Sequence, residues 1–161
     1  MKIGVPYTNP EPWPKQAGRL PDGDVFGYPV HFEPKYRGMA AARGFWPRKR
    51  IVVGRLFFWL PARMQVAVLL HEVAHCRGMH LEKRLLLAPL FWTGWVRRWT
   101  LRQEHECDEF AVVHGFGVEF VKFLSYAGPR NDVDDPFHPP HEERTARIEA
   151  RMKELDHALA A

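Results

Sequence analysis

The stretch VLLHEVAHCRGMH, Val68 to His80, sets one glutamate and three histidines inside the most apolar run of the chain. The apolar pattern begins at Ala62 and covers Met64, Val66, Ala67, Val68, Leu69, Leu70, Val73 and Ala74. With Pro61 at its first turn and Gly78 as its stop, it predicts a helix passing through the middle of a core. An ionised Glu72 without a partner there would cost several kcal/mol, roughly the penalty of a buried unpaired charge. A partner is therefore expected. His71 and His75, four residues apart, lie one turn above the other and can reach the same metal ion, with Glu72 projecting beside them. This is the HExxH pattern, in which two neutral imidazoles hold zinc and the glutamate serves the bound water.

A catalytic zinc needs a third protein ligand and an open fourth position. A second helix, expected from about Arg97 to His114, offers one. Leu101, Glu104, Asp108, Ala111 and Val112 fall on one helical stripe with Cys107 at its edge, while Arg102, Glu106 and Glu109 point elsewhere. Two acids on an apolar face would be driven toward neutrality unless something positive waits there. Glu104 is the candidate third ligand, and Asp108, one turn on, the acceptor for the free N–H of a ligating histidine. His80, His105 and Glu106 stand as substitute ligands.

The rest of the chain frames these two helices. A length of 161 residues with 46% hydrophobic composition suits one domain. Residues 1–27, rich in Pro and Gly, read as an extended arm, and residues 28–161 as the domain. YPVHFE and IVVG read as short strands. A third helix is expected over Val118 to Ala127, then a loop, PRNDVDDPFHPP, and a last helix opened by Pro140 with the apolar stripe Ile148, Met152, Leu155 and Leu159. The fold class is α+β, mainly helical with a small sheet.

Two cysteines make no disulfide framework, and the first residues lack the apolar core of a secretory signal, which together point to a cytoplasmic protein. LLLAPLFWTGWV, Leu85 to Val96, falls short of the roughly 20 residues needed to span a bilayer. Its aromatics, Phe91, Trp92, Trp95 and Trp99, read first as core, with the segment Leu85 to Trp99 a candidate for peripheral membrane contact. The net charge of +4 and the run Arg48-Lys49-Arg50 hint weakly at acidic partners, but no nucleic-acid module is visible and no nucleic acid is expected.

The string IVVGRLFFWLPARMQVAVLLHEVAHCRGMH resembles the zinc-motif region of the HtpX-like and CAAX prenyl protease family of gluzincin metallopeptidases, in which a further histidine stands at the position of His80. EHECDEFA, with Glu104 and Asp108, is similar to that family's second motif, and HPPHEERTARIE, from His138, to its third. These motifs cover about residues 45–155. The resemblance implies a zincin-like domain with zinc between the two helices, held by His71, His75 and Glu104. It implies Glu72 as general base, Asp108 behind a ligand, His138 and Arg144 lining the site, and a peptide or protein substrate. Relatives generally carry transmembrane helices, so this chain looks like a soluble catalytic core resembling the minigluzincins. The stretch around Cys107-Asp108 is also similar to the antibiotic-sensor metallopeptidases of the BlaR and MecR type.

The expected function is zinc-dependent endopeptidase activity. The alternative is a catalytically silent or latent zinc-binding regulatory protein of the same fold. For IVVG a further role is open, as a strand to which an extended substrate adds, beside that of a plain core strand.

Overall fold

A computed structural model describes residues 24–127 and 138–160. Residues 1–23, which hold most of the expected arm, and 128–137, most of the expected loop before His138, lie outside the described residues. The fold is α+β and mostly helical. Its strands are β1 (Asp24–Val25), β2 (Tyr28–Phe32), β3 (Ala40–Arg43) and β4 (Arg50–Val53). Its helices are α1 (Ala62–Arg77), α2 (His80–Leu86), α3 (Gly94–Val113), α4 (Gly117–Tyr126) and α5 (His141–Ala160), with short 3-10 turns at Arg55–Trp59 and Ala88–Leu90.

The sheet runs in the order β1-β2-β4-β3. β2 pairs parallel to β4, and β3 antiparallel to it, with Ala42 opposite Ile51. IVVG is thus the central strand, flanked on both sides. That leaves no free edge for a substrate, and its near-complete burial follows from having neighbours on every side. Among the described residues β3 is an edge strand instead. Asp24–Val25 pairs with β2 through the turn at Phe26–Gly27, so residues 24–27 belong to the sheet rather than to the arm.

α1 lies between two apolar clusters. Val68, Leu69, Val73 and Cys76 pack toward Ile51 and Val53 of the sheet, with Phe57 and Leu60 beside them. Ala67 and Leu70 pack toward Ala111 and Val112 of α3, Phe120 and Leu124 of α4, and Ile148 of α5. A helix buried on both sides must be apolar nearly all round, which is the pattern of its sequence. Its end is tied by Lys49, whose Nζ donates to Cys76 O at 2.6 Å and pairs with Glu82 Oε1 at 2.9 Å. A cation at the carbonyl end of a helix opposes the helix dipole favourably. The middle residue of the Arg48-Lys49-Arg50 run is therefore an internal brace, and the run is no continuous basic surface.

Two expectations fail. Leu159 is exposed, because α5 runs past the surface it packs on after Leu155. Trp92 and Trp95 are exposed rather than core. Pro89 and Gly94 break the run into a 3-10 turn and the start of α3, so its side chains share no single inward face. α3 begins at Gly94, earlier than expected, with the Thr93 hydroxyl accepting from Val96 N. Among the described residues no helix is long and apolar enough to cross a membrane.

Candidate metal centre

α1 and α3 cross so that their polar side chains meet inside the protein. His71 Nε2 lies 3.1 Å from His75 Nε2. Glu104 reaches both, with Oε2 at 3.4 Å from His71 Nε2 and Oε1 at 3.5 Å from His75 Nε2. Glu104 is wholly buried, and its Oε2 accepts no hydrogen bond among the described residues. Arg84 already sits on Oε1, and a buried carboxylate oxygen left over beside two imidazoles suits a further cation.

Each imidazole is oriented from behind. His71 Nδ1 lies 2.9 Å from Asp108 Oδ1, and its ring stacks on Phe120. Asp108 is in turn gripped by Arg144, whose Nε and Nη2 donate to its two oxygens at 2.8 and 2.6 Å. His75 Nδ1 lies 3.0 Å from His80 Nδ1. Burial, reinforced by the charges of His75 and Arg84, lowers His80 to about 3, so it stays neutral and acts as an acceptor. Once neutral, imidazoles so placed would carry the hydrogen on Nδ1 and turn the Nε2 lone pair toward the cluster. Burial opposes the charged form of His71, but Asp108 and Glu104 outweigh it and raise His71 to about 9. Burial works against the carboxylate of Glu104 as well, yet the two histidines hold it well below the ordinary range. The cluster is charged and largely buried, and ligation there requires His71 to give up its proton.

Glu72 is half-buried and accepts a hydrogen bond from Ala42 N at 2.7 Å. The partner demanded by its apolar surroundings is thus a backbone N–H of the edge strand β3. His138 Nε2 lies 3.6 Å from Glu104 Oε2, which brings the start of the HPP segment to the same cluster. Arg144 is buried, with its guanidinium turned onto Asp108, so it positions His71 from a distance. These residues border a cavity of about 430 Å³, walled on one side by Ala40, Ala41 and Ala42 of β3.

Three participants are not foreseen from the sequence. Arg84 of α2 donates to Glu104 Oε1 at 2.6 Å and to Gln103 Oε1 at 3.0 Å, fixing the carboxylate with Oε2 left over. Ala42 holds Glu72. Cys107 forms with His71 and His75 a set of donor atoms all within 4.8 Å of one another, capable of holding a metal ion. Its Sγ also lies 3.5 Å from His80 Nδ1, and burial pushes its thiol pKa well up. Glu104, at 3.4 and 3.5 Å from the two imidazoles and held in its ionised form by them, is a second candidate for the third donor. Of the substitutes, His80 faces His75 from behind, and His105 pairs with Glu143 at 3.1 Å. Glu106 is exposed, 4.0 Å from His80 Nε2. None of the three turns into the cluster.

Comparisons of the chain with protein-family models, curated proteins and solved structures return no match.

Proposed function

We propose that the chain is a zinc-dependent metalloendopeptidase of zincin-like fold, cleaving peptide bonds in the cavity beside β3. The observation that carries this reading is the buried meeting of His71 Nε2, His75 Nε2 and the Glu104 carboxylate at 3.1 to 3.5 Å, with one carboxylate oxygen lacking a hydrogen bond. Donors about 2.0–2.1 Å from a tetrahedral zinc stand about 3.4 Å from one another. The three groups therefore fit the ion with small movements. Two imidazoles and one carboxylate suit zinc among the common divalent ions, and the cavity leaves room for a fourth position. The resemblance of the three motifs to gluzincin peptidases supports the same assignment. When bound, zinc supplies Lewis acidity toward a peptide carbonyl and brings the pKa of water toward neutrality.

The chain's own groups divide the remaining work. With Oε2 held by Ala42, Glu72 keeps Oε1 for the proton taken from water and passed to the leaving amine. Asp108 and Arg144 hold His71, while His80 holds His75. His138 Nε2, beside Glu104, is the donor for charge that develops on the carbonyl oxygen, a contribution of about 3 kcal/mol where such donors are removed elsewhere. An extended peptide adds at β3, the edge bordering the cavity.

The test is the metal content of the wild type, His71→Ala and Glu104→Ala, with a casein digest of the same samples and of Glu72→Gln. The expected result is stoichiometric zinc in the wild type and in Glu72→Gln, loss of zinc in the other two, and cleavage by the wild type alone. Cleavage by Glu72→Gln at the wild-type rate would sink the mechanism. A wild type that holds zinc yet cleaves nothing would favour the silent regulatory protein.

A further inference from the structure

Leu85, Leu86, Leu90, Trp92 and Trp95 are 61%, 80%, 43%, 84% and 56% exposed, and all five fall within a stretch of eleven residues. So many large apolar side chains exposed within one short stretch exceed the scattered exposure normal for a soluble face. The chain around them is one-sided in charge. From Lys83 to Arg102 there is no Asp or Glu, and besides Arg84, which is spent on Glu104, there are four exposed cations, Lys83, Arg97, Arg98 and Arg102. The acids at either end are held internally, Glu82 by Lys49 and Glu104 by Arg84.

We infer that the surface formed by the end of α2, the 3-10 turn Ala88–Leu90 and the start of α3 docks on the headgroup region of a membrane bearing anionic lipids. Leucines with tryptophans, flanked in sequence by exposed Lys and Arg, are the composition that partitions into that region. The Trp92 indole N–H donates to Pro89 O at 3.0 Å, so the ring can enter an apolar layer without stranding a donor. The breaks at Pro89 and Gly94 keep the segment in short turns, which rest on a bilayer and do not cross it. A second copy of the chain is a poorer occupant, because a self-complementary contact would bring these cations against their own copies. Leu81 and Arg84 border the cavity and Leu85 follows Leu81 by one helical turn, so docking holds the cavity mouth beside the headgroups. The docking stands independently of the peptidase reading.

The experiment is flotation of the full chain with vesicles of phosphatidylcholine alone and of phosphatidylcholine with phosphatidylserine in equal parts. The chain is expected to float with the mixed vesicles and far less with the neutral ones. Each basic residue near an anionic surface is worth about 1 kcal/mol, so Arg97→Ala/Arg98→Ala should weaken binding roughly thirtyfold. Leu86→Ser/Trp92→Ser should weaken it by at least about a hundredfold, from the transfer of two large side chains. Both variants alter exposed residues, and circular dichroism and a melting temperature equal to wild type confirm that they remain folded. A chain that stays in solution with the mixed vesicles overturns the inference, as do variants that float like wild type. Sedimentation as a dimer that Leu86→Ser/Trp92→Ser makes monomeric, without vesicle binding, would assign the surface to a second copy instead. None of these readouts depends on catalysis.

Discussion

Arg144 and Asp108 form a buried two-pronged pair, with Nε and Nη2 donating at 2.8 and 2.6 Å, and the same Asp108 Oδ1 stands 2.9 Å from His71 Nδ1. The pair therefore has a structural task and a site task, and substitutions can separate them. Arg144→Met should destabilise the protein by about 3–5 kcal/mol, the cost of leaving one member of a buried pair unmatched. The double variant Asp108→Leu/Arg144→Met should recover most of that loss, since an apolar pair needs no ionic partner. Its zinc affinity should nevertheless stay roughly 10–100-fold below wild type, because His71 has lost the acceptor that fixes its ring. Denaturant unfolding and zinc titration on the three proteins check this. A double variant that binds zinc as tightly as wild type would remove Asp108 from the site.

How much of this arrangement was readable in the sequence depended on the distance over which each relationship acts. The pairing of His71 with His75 is set by one helical turn, and the burial of Glu104 and Asp108 follows from acids lying on an apolar stripe of a single helix. Both are local patterns. β3 left no such trace, because Ala40, Ala41 and Ala42 show neither alternation nor β-branching and become a strand only by pairing with β4. Arg84 was hidden for the same reason. α2 has only seven residues, and the hydrogen bond to Glu104 joins positions twenty apart. The exposed tryptophans were misplaced because composition reports an apolar run without saying which way a broken run faces.

The Lys49–Glu82 pair carries a pH dependence of definite sign. Burial alone would raise Glu82, but the Lys49 ammonium outweighs it and holds the carboxyl below its ordinary value of 4.5. A depressed carboxylate contributes stability that is present above its unfolded pKa and lost as pH falls through the folded one. Glu82→Gln should therefore cost about 2 kcal/mol at neutral pH, on the scale of a charged hydrogen bond, with Lys49 left on Cys76 O alone. As pH falls below about 4.5, the stability gap between wild type and variant should close. Other carboxylates titrate alike in both proteins and cancel in the difference. Thermal melts of both proteins across acid pH measure it, and a gap that widens on acidification would contradict the pairing.

Gly78, which ends α1, is needed for space rather than for an unusual backbone angle, since its φ and ψ of −70° and −6° suit any residue. A Cβ there would overlap the ring of His80. His80 is buried behind His75, so the ring has little freedom to retreat. Gly78→Ala should then cost about 1–3 kcal/mol, the usual penalty of overpacking, in place of the gain expected when alanine replaces glycine in a helical conformation. It should also loosen His75, which loses its Nδ1 partner, and lower zinc affinity on the roughly tenfold scale of such supporting contacts. His80→Ala in the same background should restore stability by making room for the methyl group while leaving zinc binding weak. Melting temperature and zinc titration on the single and double variants decide the matter, and a Gly78→Ala protein as stable as wild type would show that the His80 ring is not held where it shields His75.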